Sequence, residues 1–108
     1  MHTLTAIYRT PENKEAFDRH YREVHTPLSR QMEGLRRMEV TWVEKMLTPG
    51  NETLPAAPHV VCTMYFDDAD ALNASMKSPN SRAAAKDLMG FAGPLVSMIV
   101  GRTEEIPL

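Results

Sequence analysis

Apolar side chains occupy both parities of the segments that read as strands, and this constrains the fold more than any other feature of the sequence. Val60, Met64 and Phe66 alternate with Val61 and Tyr65, and Leu95 and Ile99 alternate with Val96, Met98 and Val100. An antiparallel sheet with one face in water shows a cleaner apolar–polar alternation. Both faces of this sheet therefore need a cover. With 108 residues, 43% hydrophobic and 24% charged, the chain has ordinary globular composition and enough length for one core. A single domain over residues 1–108 is expected, with helices sufficient for one face only. Self-association through the sheet into a homodimer is the economical cover for the other.

The elements follow from periodicity and from helix and turn signals. Residues 4–9 read as a strand, ended by Thr10-Pro11-Glu12-Asn13. Asn13 suits an N-cap, after which Ala16, Phe17, Tyr21, Val24 and Leu28 form the apolar stripe of a helix. Thr26-Pro27 predicts a kink or restart, because proline lacks an amide proton and disfavours helical geometry in the residue before it. Gly34 is a stop signal, residues 35–46 read as a long strand, and the breaker-rich stretch 47–58 reads as a mobile loop. Residues 59–66 form the third strand. Asp67, Asp68 and Asp70 supply a helix cap rather than a calcium loop, and Ser78-Pro79 opens a second helix that Gly90 and Gly93-Pro94 should end. Residues 95–100 complete the set. The order strand, helix, strand, strand, helix pair, strand predicts an α+β fold of ferredoxin-like βαββαβ type, a four-stranded antiparallel sheet with helices on one face.

Composition excludes several classes. The net charge of −2, with both signs interspersed, gives no electrostatic footprint for nucleic acid or anionic lipid. Cys62 is the sole cysteine, so neither an internal disulfide nor a thiolate cluster is available, and no stretch approaches membrane-spanning length. A cytoplasmic protein is the expectation, with Asn51 and Asn73 as chance glycosylation matches. There is no phosphate loop, dinucleotide fingerprint or nucleophile elbow, so the expected site has no cofactor.

Two stretches carry a family resemblance. Phe17-x-x-His20-Tyr21-x-x-x-His25-x-Pro27-Leu28, followed by Gly34-Leu35, resembles the first helix and second-strand approach of the EthD family. Ser75 to Pro79, with Ala83-Ala84-Ala85-Lys86-Asp87-Leu88 and Phe91, resembles its C-terminal helical segment, although Glu33 stands where family members often carry proline. The resemblance implies a dimeric α+β barrel, two sheets packed face to face with a pocket between sheet and helices in each subunit. It also implies a superfamily that includes isomerases, cyclases, haem-degrading enzymes and monooxygenases without metal or flavin. Fold alone does not choose among these.

His25 is the leading catalytic candidate, since it occupies the family's His-x-Pro-Leu position and an imidazole of ordinary pKa, ~6.5, suits proton transfer. Its structural alternative is to tie down the broken helix end. His20, five residues earlier, would lie about 140° away on an α-helix, so the two are not expected to share a metal. Tyr8, which closes the first strand, is the second catalytic candidate, with its hydroxyl at the mouth of the site. Tyr21, Trp42 and Tyr65, with His20, are candidates to line an aromatic ligand pocket, the alternative being core packing. A cofactor-free isomerase, lyase or oxygenase acting on a small organic compound is one expectation, and a non-catalytic metabolite-binding protein is the rival. Haem ligation by His25 is a weaker third.

Overall fold

The computed structural model describes residues 1–108. Its sheet contains β1 (His2–Tyr8), β2 (Arg37–Trp42), β3 (Val60–Phe66) and β4 (Val96–Arg102), in the order β2-β3-β1-β4 with every pair antiparallel. The helical elements are α1 (Lys14–His20), a π-helical turn over Tyr21–His25, α2 (Thr26–Ser29), α3 (Ala69–Met76) and α4 (Pro79–Ala92). This is the βαββαβ arrangement that the element order predicts. None of its helices is long and apolar enough to cross a membrane.

The registers explain where the core sits. Leu4 opposes Met64, Ala6 opposes Cys62 and Tyr8 opposes Val60, and all six are buried. Phe17, Tyr21, Leu72 and Leu88 from the helices pack over them. The opposite face presents Thr3, Thr5 and Ile7 beside Val61, Thr63 and Tyr65, and no helix covers it, although Thr3 at its end is buried and accepts the Thr103 hydroxyl at 3.1 Å. This face is a hydroxyl–apolar mixture, less apolar than the helix-covered face.

Local chemistry sets the helix starts. Asn13 Oδ1 accepts the Ala16 N–H at 3.0 Å and Asp68 Oδ1 accepts the Ala71 N–H at 2.8 Å, caps that each contribute about 0.5–2 kcal/mol. Gly34 turns the chain toward β2 at φ 77°, a conformation that suits glycine.

Two expectations require correction, and a third is met in a particular form. At Thr26-Pro27 the α-helix restarts, as expected, after a π-helical turn. The Thr26 N–H reaches the Tyr21 carbonyl five residues back, and helical bonding resumes with the Arg30 N–H on the Thr26 carbonyl at 3.0 Å. Widening the turn ahead of Pro27 relieves the collision its ring would make in α geometry. The second strand is shorter than residues 35–46. Arg36 N–H to Tyr65 O (2.8 Å) and Val43 N–H to His59 O (3.0 Å) bound its pairing, because β2 lies at the sheet edge and β3 is its only partner. Gly90 does not end α4, which runs through to Ala92. One helical glycine costs about 1 kcal/mol relative to alanine, which the buried contacts of Leu88 and Ala92 on either side offset.

The stretch 47–58 has no regular structure, yet Asn51 organises its middle. Its side chain accepts the N–H groups of Thr53 and Leu54, both at 2.9 Å, while its own N–H bonds the Leu54 carbonyl at 3.1 Å.

Candidate functional site

The π-helical turn changes which side chains meet. In α geometry His20 and His25 would diverge, but an i to i+5 hydrogen-bond repeat stacks residues five apart. Both rings converge on Asp87 of α4. His20 Nε2 lies 2.9 Å from Oδ1 and 3.1 Å from Oδ2, and His25 Nδ1 lies 3.0 Å from Oδ2. The expected divergence is thus corrected by the same turn that accommodates Pro27.

Hydrogen-bond roles follow from the carboxylate. A carboxylate only accepts, so the nitrogen of His25 that faces Asp87, Nδ1, is assigned the proton. In the neutral ring Nε2 is then an acceptor, and the Ser29 hydroxyl lies 3.2 Å from it as donor. His25 is 6% exposed, and burial pushes its pKa below the ordinary histidine value while Asp87 opposes the shift. The ring packs against Tyr21 and Phe91 at centroid distances of 5.6 and 5.1 Å. A neutral imidazole fixed at one nitrogen, with the other beside a hydroxyl, is equipped to move a proton.

His25 and Ser29 open onto a cavity of about 50 Å³ between helices and sheet. Tyr8, Cys62 and Met98 line its sheet wall, and Ser81, Ala84 and Leu88 of α4 line the other side. No Asp, Glu, Lys or Arg side chain reaches it. The space holds a few waters as it stands. Met32, Met64, Met76 and Met98 make up much of the wall, and unbranched thioethers can repack around an arriving ligand.

The other candidates are dispersed. Tyr8 lines the cavity with His25, whereas Tyr21 packs behind it, its hydroxyl buried without a hydrogen-bond partner. Burial raises the pKa of both phenols, and that of the Cys62 thiol, so each keeps its proton. His20 is a flanking group, about one-third exposed, with its ring 4.4 Å from that of Phe91. Trp42 lies on the helix side of the sheet but off the cavity, edge-on to Tyr21 at 5.5 Å and beneath the Arg22 guanidinium at 4.3 Å. Tyr65 points to the opposite face, where its hydroxyl donates to Glu39 at 2.7 Å. None of Tyr21, Trp42, Tyr65 and His20 lines the His25 cavity, whose one phenol is Tyr8; His20 lines a separate, more open groove with Phe17 and Phe91.

Two members of the site are absent from the sequence-based candidates. Asp87 sits three residues after Ala84 and four before Phe91, which puts a carboxylate on the margin of the apolar stripe of α4. That position was the available signal. Ser29 gave none. The convergence of two histidines and an aspartate does not form a metal site, since the carboxylate bridges the rings through hydrogen bonds and no three His, Cys, Asp or Glu groups are arranged around an ion.

A family model described as the EthD domain matches residues 9–94. The crystal structure of an EthD family protein from Bacillus halodurans is 38% identical and superposes with a TM-score of 0.82, covering 96% of this chain and 99% of that one. An uncharacterized 11.0 kDa protein from the thcB–thcC intergenic region of Rhodococcus erythropolis is 27% identical over 106 residues, 98% of each chain. Two distant structures share the fold alone. A dimeric ferredoxin-like protein of Thermobifida fusca has 13% identity and TM-score 0.64, covering 94% of this chain and 90% of that one. The cofactor-independent oxygenase SnoaB of Streptomyces nogalater has 10% identity and TM-score 0.63, covering 97% and 94%.

Proposed function

We propose that this chain, which belongs to the EthD family, is an enzyme of small-molecule catabolism that uses His25 as acid and base on a compact, uncharged organic compound held between sheet and helices. One observation carries the reading. His25 is buried at the wall of an apolar cavity with Nδ1 committed to Asp87 and Nε2 beside the hydroxyl of Ser29, which lines the same cavity. Burial keeps the ring neutral and ready to take a proton, and Asp87 steadies the imidazolium that results. A body of few carbons with one carbonyl or phenolic group matches the lining, which is mainly apolar with the His25 imidazole and the Ser29, Ser81 and Tyr8 hydroxyls among its few polar groups. A formal charge would enter with no counterion. Cofactor-free chemistry of a distant neighbour, the oxygenase SnoaB, is compatible with such a site.

Turnover across a panel of lactones, phenols and quinols tests this reading, with His25→Asn as control. Consumption of a compound by the native protein and not by the variant is the expected result. Binding without turnover would favour the rival, a metabolite-binding protein, which the mainly apolar cavity also suits.

The unit is a homodimer paired through the open sheet face. Ile7, Val61 and Tyr65 are only partly covered there and Ile99 is 56% exposed, while a distant neighbour of the same fold is described as dimeric. Light scattering at micromolar concentration should return twice the 12.2 kDa chain mass, and a value near 12.2 kDa would contradict it.

A further inference from the structure

We infer that Ser29 is a nucleophile: Ser29, His25 and Asp87 form a hydroxyl–imidazole–carboxylate array that takes the acyl group of a small uncharged ester or lactone bound in the cavity. The inference rests on the reading of His25 as a base and adds the atom that attacks. Ser29 Oγ lies 3.2 Å from His25 Nε2, and His25 Nδ1 lies 3.0 Å from Asp87 Oδ2, so the two imidazole nitrogens bridge hydroxyl and carboxylate in sequence. These are the roles that define such an array wherever the residues fall in a chain.

The conduct of the hydroxyl supports this. A buried helical serine commonly bonds back to the carbonyl four residues earlier. For Ser29 that residue is His25, yet the hydroxyl bonds the His25 ring instead and makes no other side-chain hydrogen bond. Ser29 is 3% exposed and lines the cavity together with His25. The charged groups around the array are few. Asp87 holds His25 and His20, the phenols of Tyr8 and Tyr21 and the Cys62 thiol keep their protons, and no cationic side chain lines the wall.

The chemistry balances with water as the only co-reactant. As Ser29 Oγ bonds the carbonyl carbon, its proton passes to His25 Nε2. The carbon–oxygen bond to the alcohol then breaks, and the departing oxygen takes the proton from Nε2. Water attacks the acyl-serine, giving a proton to the same nitrogen, which returns it to Ser29 as the acid leaves. Tyr8, on the sheet wall of the same cavity, is the hydroxyl donor available to the tetrahedral oxyanion. With four methionines and no cation in the lining, the array suits an apolar acyl group and rejects carboxylated or phosphorylated ones.

Diisopropyl fluorophosphate followed by intact mass and peptide mapping tests the assignment, with p-nitrophenyl butyrate as a reporter ester. One phosphoryl adduct at Ser29 is expected, absent in Ser29→Ala, with the rate slowed about 100-fold or more in His25→Asn. Ser29→Cys, a near-isosteric change, should transfer reactivity toward alkylating reagents to position 29 ahead of Cys62. Absence of an adduct at Ser29, or an adduct whose rate ignores His25→Asn, would overturn the inference. Panel turnover retained by Ser29→Ala with no adduct in the native protein would overturn the nucleophile while leaving His25 as base. Panel turnover retained by His25→Asn would remove the base itself.

Discussion

His25–Asp87 and His59–Asp18 are the same chemical pair in different surroundings. The second contact is the shorter, 2.7 Å against 3.0 Å, and the less buried, with side-chain exposures of 14% and 28% against 7% and 17%. His59 uses Nε2 for its carboxylate, and its ring sits edge-on between Phe17 at 5.5 Å and Trp42 at 5.9 Å, away from the cavity. His25 uses Nδ1, which leaves Nε2 to Ser29 and the space beyond. A short histidine–carboxylate contact therefore does not mark the site. What distinguishes the pair proposed to act is the surroundings of the second nitrogen.

Substituting each histidine should split the pairs most widely. His25→Asn is expected to reduce turnover by about 10²–10⁴, the range for loss of a general acid–base group, while His59→Asn leaves the rate at its native value. Steady-state kinetics on any panel compound the native protein consumes reads this directly. Equal losses in both variants would erase the distinction.

The carboxylates give a smaller contrast. Asp87→Asn removes the charged acceptor shared by two rings and should cost about 1–3 kcal/mol in urea unfolding. Asp18→Asn, in a more exposed pair, should cost about 0.2–1 kcal/mol. A reversal of that order would show that His59–Asp18 is the pair that holds the fold.

The pH dependence sharpens the same comparison. Folding lowers the pKa of His25, so below the unfolded value of ~6.5 the unfolded chain binds a proton that the native ring refuses. Stability should be fully present above that value and fall as pH drops through it toward the folded-state pKa. His25→Asn should flatten this part of the profile in denaturant titrations between pH 8 and pH 5. A profile unchanged by the substitution would contradict the buried neutral ring.

The smallest effect belongs to the open sheet face. Tyr65→Phe deletes the hydrogen bond to Glu39 and should cost no more than about 1.5 kcal/mol, leaving turnover untouched. Lost turnover would tie that face to the site.

The strands, the Asn13 and Asp68 caps and the apolar stripe of the first helix were legible because each is a local pattern, whereas apolar residues on both strand parities left open which sheet face the helices cover. His25 and Tyr8 were legible as members of one cavity for a related reason, since one ends the segment before Thr26-Pro27 and the other ends β1. The partnership of His25 with Asp87 was not. It depends on a π-helical turn that alters the angular spacing of His20 and His25, and on a residue 62 positions away. Tyr65 was misplaced for a simpler reason. Trp42 opposes Val60 and Tyr65 opposes Thr3, so the register assigns them to opposite faces, and register is fixed by tertiary pairing rather than by either strand alone.

The central claim is that burial keeps His25 neutral while Asp87 holds its proton on Nδ1, leaving Nε2 unprotonated beside the Ser29 hydroxyl. Long-range ¹H–¹⁵N correlation spectra of the histidine rings at pH 7 read this without any ligand. The account predicts the Nδ1–H tautomer for His25, with that state lost or mixed in Asp87→Asn. A native His25 that is imidazolium at pH 7, or that carries its proton on Nε2, would contradict it.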